Sequence, residues 1–96
     1  MKFILVLAAW LAASTTVLGQ SPQPLRIVTT TTQATDLITI LSAGLPDGAL
    51  QITPLMGAGV DPHLYKPTEA DIAAMSAADA IVYSGLHLEG QFDTVF

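Results

Sequence analysis

The spacing of apolar residues changes along this chain, and each change marks a new element. Leu25-Arg26-Ile27-Val28-Thr29-Thr30-Thr31 is dense in β-branched side chains, which suit a pleated, half-buried backbone. It predicts a strand whose threonine tail is suited to face a cleft. From Thr32 the spacing switches to threes and fours, so that Ala34, Leu37, Ile38 and Leu41 share one helical face, and Ser42-Ala43-Gly44 stops the helix. Pro46-Asp47-Gly48 is a turn, because proline presets the first corner and glycine tolerates positive φ. Ala49 to Pro54 then predicts a second strand that buries Leu50 and Ile52.

Thr68-Glu69-Ala70-Asp71 has the form of a helix cap, with the Thr68 hydroxyl placed to accept from the Asp71 amide and two acids in the first turn. The helix it opens runs from Glu69 to about Ala77, with Ile72, Ala73 and Met75 or Ser76 towards the core. Ala80-Ile81-Val82-Tyr83 is almost continuously apolar, the pattern of a strand buried on both faces. Strand, helix, strand, helix, strand points to the α/β class and a parallel βαβαβ sheet. In such sheets ligands bind beyond the carboxyl ends of the strands. Thr29 to Thr32, the loop around His63, and Gly85-Leu86-His87-Leu88-Glu89 all fall on that rim.

The loop Gly57-Ala58-Gly59-Val60-Asp61-Pro62-His63-Leu64-Tyr65-Lys66-Pro67-Thr68 is the most constrained part of the sequence. Its glycines permit positive φ, while Pro62 and Pro67 lock their own φ and extend the residues before them. His63 is therefore held in place. Imidazole binds transition metals through one neutral nitrogen while the other is oriented by an acceptor, and Asp61 or a local carbonyl is placed to be that acceptor. A single loop histidine is equally a solvated surface group. The helix start beyond Thr68 also favours anions, so a metal at His63 needs carboxylates or further imidazoles. His87 and Glu89 share a face if extended, and otherwise form a solvated polar turn that leads into a further helix.

Residues 1–19 read as a signal peptide: Lys2 gives a positive start, Phe3 to Ala13 is apolar, and Val17-Leu18-Gly19 suits cleavage. The apolar run falls short of the roughly 20 residues that a spanning helix needs. The sequence has 3 basic and 8 acidic residues, a formal charge of −5, which becomes one unit more negative without Lys2. That balance argues against nucleic acid and anionic membranes as partners. With 0 cysteines there is no disulfide framework and no lipid-bearing cysteine. The exported, mature product is expected to be soluble, not inserted in the membrane. No catalytic serine elbow, cysteine nucleophile, His-Glu-x-x-His pair or phosphate-binding glycine loop is present.

Val28-Thr29-Thr30-Thr31-Thr32-Gln33-Ala34-Thr35-Asp36-Leu37, then Gly59-Val60-Asp61-Pro62-His63-Leu64-Tyr65-Lys66-Pro67-Thr68, then Ala78-Asp79-Ala80-Ile81-Val82-Tyr83-Ser84-Gly85-Leu86-His87-Leu88-Glu89 resemble the N-terminal part of the periplasmic solute-binding proteins of zinc and manganese ABC importers. The Asp-Pro-His-x-Tyr-x-Pro-Thr core is specific to that family. The resemblance implies two α/β lobes joined by a long helix, with the metal between them. On that basis residues 20–96 form part of the N-terminal lobe and stop in the helix after the third strand. The resemblance implies that His63 is the first metal ligand and that the others lie beyond Phe96, and it assigns no ligand role to His87 or Glu89. It further implies a non-enzymatic protein that carries manganese, zinc or iron to an inner-membrane permease. The absence of a His-rich insertion leans towards manganese. A competing reading is a fragment of a secreted zinc hydrolase using His63 with Glu89 as base.

Overall fold

The computed structural model describes residue 19 and residues 21–96, so the signal-peptide reading lies almost wholly outside the described residues. Five regular elements appear in the expected order: β1 (Leu25–Thr29), α1 (Thr32–Leu41), β2 (Leu50–Pro54), α2 (Glu69–Ala77) and β3 (Ala80–Val82). The sheet order is β2-β1-β3, with both pairings parallel. Leu25 pairs with Leu50 at one end of the β1–β2 ladder and Thr29 with Pro54 at the other, while β3 begins opposite Ile27. The α/β, parallel βαβαβ expectation therefore holds.

The central position goes to β1, and burial follows from it. Ile27, Val28 and Thr29 are all buried, whereas β2 and β3 are flanked on one side only and are half-buried at best. This corrects the reading of β3 as buried on both faces: Ala80 is exposed and Ile81 and Val82 are half-buried. A run of apolar residues cannot distinguish a central strand from an outer one.

The helix faces also need correction. In α1 only Ala34 is buried, while Leu37 and Leu41 are 53% and 70% exposed. The first turn of α1 is capped by the Thr31 hydroxyl on the Ala34 amide, and of the expected inward face Ile38 is half-buried. In α2 the inward residues are Met75 and Ala74, with Ala73 exposed and Ile72 43% exposed. The Thr68–Asp71 capping box is fully formed, as the sequence requires.

After β3 the chain makes turns and one 3-10 turn, Gly90–Phe92, in place of the expected helix. This turn closes the core. Phe92 is fully buried and joins Val28, Met56 and Met75, with Tyr65, Ala74, Ile81 and Val95 packed around them. Burial of one such side chain stabilises by about 1.5–3 kcal/mol. Phe92 also stacks on Tyr65 and Phe96 at centroid distances of 5.9 and 5.6 Å. The core therefore lies on the side of the sheet where α2 and the last residues meet, and it reaches the loop that carries His63.

Candidate metal centre

The carboxyl rim is built outward from the tip of β1. The parallel ladders continue past the strand ends, with the amides of Leu55 and Met56 bonded to the carbonyls of Thr29 and Thr30, and the Thr30 amide to Val82. Thr29, Thr30 and Thr31 are all buried, at 0, 0 and 2% exposure. Buried hydroxyls must find partners, and each does so within the fold. The Thr35 hydroxyl donates to the Thr31 carbonyl at 3.0 Å. Its single proton is then committed, so Thr29 must be the donor in the 2.7 Å contact between the Thr29 and Thr35 hydroxyls. Thr31 Oγ1 accepts from Ala34 and lies 2.8 Å from Ser84 Oγ. The threonine tail thus binds the rim together and is not a set of free ligands facing a cleft.

Glu89 completes this arrangement, and its burial corrects the solvated-turn reading. It is only 2% exposed. Its carboxylate accepts from the Thr30 hydroxyl at 2.6 Å, the Ser84 amide at 2.6 Å and the Gly85 amide at 3.1 Å. Burial pushes the Glu89 carboxyl upward, but the Thr30 hydroxyl and the Ser84 and Gly85 amides outweigh it and hold the pKa below the usual value. Between these anchors Gly85, Leu86 and His87 all take positive φ, at 78°, 53° and 62°. Leu86 projects fully into solvent. His87 is exposed, with Nδ1 3.1 Å from Asp93 Oδ2.

The His63 loop occupies the rim beyond β2. Asp61 starts a short turn: its carbonyl accepts the Leu64 and Tyr65 amides at 3.2 and 3.1 Å, and its Oδ1 accepts the His63 amide at 2.9 Å. The same Oδ1 lies 3.3 Å from His63 Nδ1. Asp61 is thus the expected acceptor. A proton on Nδ1 shared with Asp61 leaves Nε2 with its lone pair free, as metal ligation needs. Of the two glycines in this loop only Gly59, at φ 79°, takes the positive φ expected of both. The His63 side chain is 63% exposed and points to solvent at the rim. A cleft of about 230 Å³ is lined by Thr31, Gln33, Met56, Pro62 and Leu88 from all three rim segments, but His63 itself is not part of its lining.

Beyond His63 the turn is tied to α2. The Tyr65 hydroxyl donates to Asp71 Oδ2 at 2.7 Å, and that oxygen also accepts the Thr68 amide at 2.9 Å. Partial burial raises the Asp71 pKa, but the Thr68 amide and Tyr65 hydroxyl lower it further, leaving a carboxylate below its usual range. The hydrogen bond to Asp71, then desolvation, pushes Tyr65 up to about 12. Among the described residues no three histidine, cysteine, aspartate or glutamate side chains converge as a metal-binding group. His63 stands as a single oriented donor. The competing hydrolase pair is not supported either, because both Glu89 oxygens are occupied by donors and its lowered pKa makes it a poor base.

A sequence profile described as "ZnuA: Zinc-uptake complex component A periplasmic" matches residues 27–96, which span every element of this fold beyond the start of β1. The chain belongs to this family. Among its relatives, the manganese-binding lipoprotein MntA of Bacillus subtilis is 41% identical over 73 residues, 76% of this chain and 22% of MntA. The zinc-binding protein TroA of Treponema pallidum is 46% identical over 52 residues, 54% of this chain and 17% of TroA. The solved structure of the periplasmic zinc-binding protein TroA from Treponema pallidum superposes with a TM-score of 0.69 at 38% identity, covering 76% of this chain and 25% of that one. The Mn-bound periplasmic metal-binding protein of Candidatus Liberibacter asiaticus gives 0.62 at 30% identity, over 74% of this chain and 25% of that one. The chain therefore spans about a quarter or less of the length of these ZnuA-family relatives. The family resemblance carried by the Asp-Pro-His-x-Tyr-x-Pro-Thr core is confirmed.

Proposed function

We propose that this chain is the opening part of a ZnuA-family capture protein. It would bind a divalent manganese, zinc or iron ion outside the inner membrane and deliver it to an ABC permease. The observation that carries the reading is the pairing of His63 with Asp61: an exposed imidazole whose Nδ1 lies 3.3 Å from Asp61 Oδ1, so that a proton held on Nδ1 leaves Nε2 to ligate. The metal is cargo, and His63 supplies one of its ligands through Nε2. Histidine and carboxylate ligands outside residues 1–96 complete the site. Relatives named as manganese-binding and zinc-binding support this class of ion. In this reading the product is released into the periplasm as a monomer without a lipid anchor, and the site binds its metal without catalysing a reaction.

One imidazole holds a metal weakly, since a closed protein site takes about four ligands. Titration of this chain with Zn²⁺ or Mn²⁺, followed by calorimetry and by the His63 ring resonances, is expected to show binding weaker than micromolar. The His63 ring should respond, and H63A should abolish the calorimetric response. Submicromolar binding by this chain alone, or an unchanged response in H63A, would refute the assignment.

A further inference from the structure

The turn that carries His63 is fastened at both ends, and the second fastening uses a side chain that metal ligation does not require. At the front, Asp61 engages the ring and accepts three amides of the turn. At the back, the Tyr65 hydroxyl reaches Asp71 Oδ2 at 2.7 Å, and the same oxygen holds the Thr68 amide at 2.9 Å. A single carboxylate oxygen thus joins the His63 turn to the first turn of α2. The Tyr65 ring lies 10° from parallel to that of Phe92, which is fully buried in the core. Only Pro62, His63 and Leu64 lie between the two pinned residues, and Pro62 has no freedom in φ.

We propose that Tyr65 is a positioning residue for His63: its hydrogen bond to Asp71 fixes where the imidazole stands on the rim of the sheet. The consequence for metal affinity rests on the reading of His63 as a ligand, whereas the consequence for the ring's position does not. The physical argument is one of populations. A ligand atom that spends a tenth of its time in the competent pose binds about tenfold more weakly. Asp61 alone cannot prevent this, because it sits on the same turn and moves with it. Tyr65 ties the turn to a separate element.

The test uses the full chain and reads the His63 ring nitrogens by NMR before and during Zn²⁺ addition. Y65F keeps the ring on Phe92 and removes only the hydroxyl, and D71N weakens the acceptor as a second route to the same loss. In both, the metal-free His63 signals should move towards those of a solvated histidine, and Zn²⁺ affinity should fall by about three- to tenfold. T68A cuts the cap but leaves the Tyr65–Asp71 bond in place. It should lower the melting temperature without moving the His63 signals. An unchanged metal-free ring spectrum in Y65F and D71N overturns the proposal whatever the metal does. So does a T68A spectrum displaced as far as that of Y65F, which would reduce the effect to general stability. Undiminished Zn²⁺ binding in H63A instead overturns the metal reading, and the metal-free spectra still decide the role of Tyr65.

Discussion

Replacing Glu89 with glutamine tests whether the carboxyl rim is held by one buried carboxylate. Glutamine keeps the length and shape of the side chain, so packing around the site, 2% exposed in the native chain, is unchanged. What changes is hydrogen-bond polarity. Oε1 of the native carboxylate accepts from Thr30 and Ser84, and Oε2 accepts from Gly85. The amide oxygen of the introduced glutamine could keep the first two, but its NH₂ would then face the Gly85 N–H, donor against donor. Hydrogen bonds to a charged group contribute about 1.5–3 kcal/mol each, and an unpaired buried donor costs about 1–3 kcal/mol. The Ser84 and Gly85 amides lie near enough to the surface for water to recover part of this. The expected loss is about 2–3 kcal/mol at pH 7, well outside the roughly 0.5 kcal/mol of an ordinary surface change. Urea unfolding followed by circular dichroism, compared at equal m-value, measures it.

The pH dependence gives a second check. The native pKa of Glu89 is lowered, so its ionised form contributes stability that is present above the unfolded value of about 4.3 and is lost as pH falls through the lower native value. The gap between wild type and E89Q should therefore be widest near neutrality and shrink steadily below about pH 4.3. A loss under 0.5 kcal/mol at pH 7, or a gap that does not change between pH 7 and pH 3, would refute the account.

Two further outcomes follow from backbone and core. Leu86 holds φ at 53° with its side chain wholly in solvent, so L86G should stabilise the chain by about 0.5–1 kcal/mol, read as a raised urea midpoint; relief of the left-handed penalty exceeds the entropy that glycine adds to the unfolded chain. Phe92 is fully buried and stacks on both Tyr65 and Phe96, so F92A should cost about 3–5 kcal/mol in the same measurement and broaden the Tyr65 ring resonances, while a loss below 1 kcal/mol would contradict its place in the core.

Features built from near neighbours were legible in the residues alone. The capping box can be read because Thr68 and Asp71 are three residues apart and need only each other. The Asp61–His63 pairing can be read for the same reason, since a two-residue separation places acceptor and ring in one turn. The order of elements and the parallel sheet follow from changes of period and from the length of the crossovers. The Asp-Pro-His-x-Tyr-x-Pro-Thr segment also carried the family.

Features built from distant pairs emerged only with the folded chain. Glu89 meets Thr30 across 59 residues, and nothing in Leu88-Glu89-Gly90 distinguishes a buried latch from a solvated acid. The runs in β1 and β3 look alike, yet one strand is central and the other has a single neighbour, because sheet order is set by which ladders form and not by composition. The exposed Leu37 and Leu41 show the same limit. An amphipathic period states which face a helix offers, and only the rest of the fold determines how much of that face is covered.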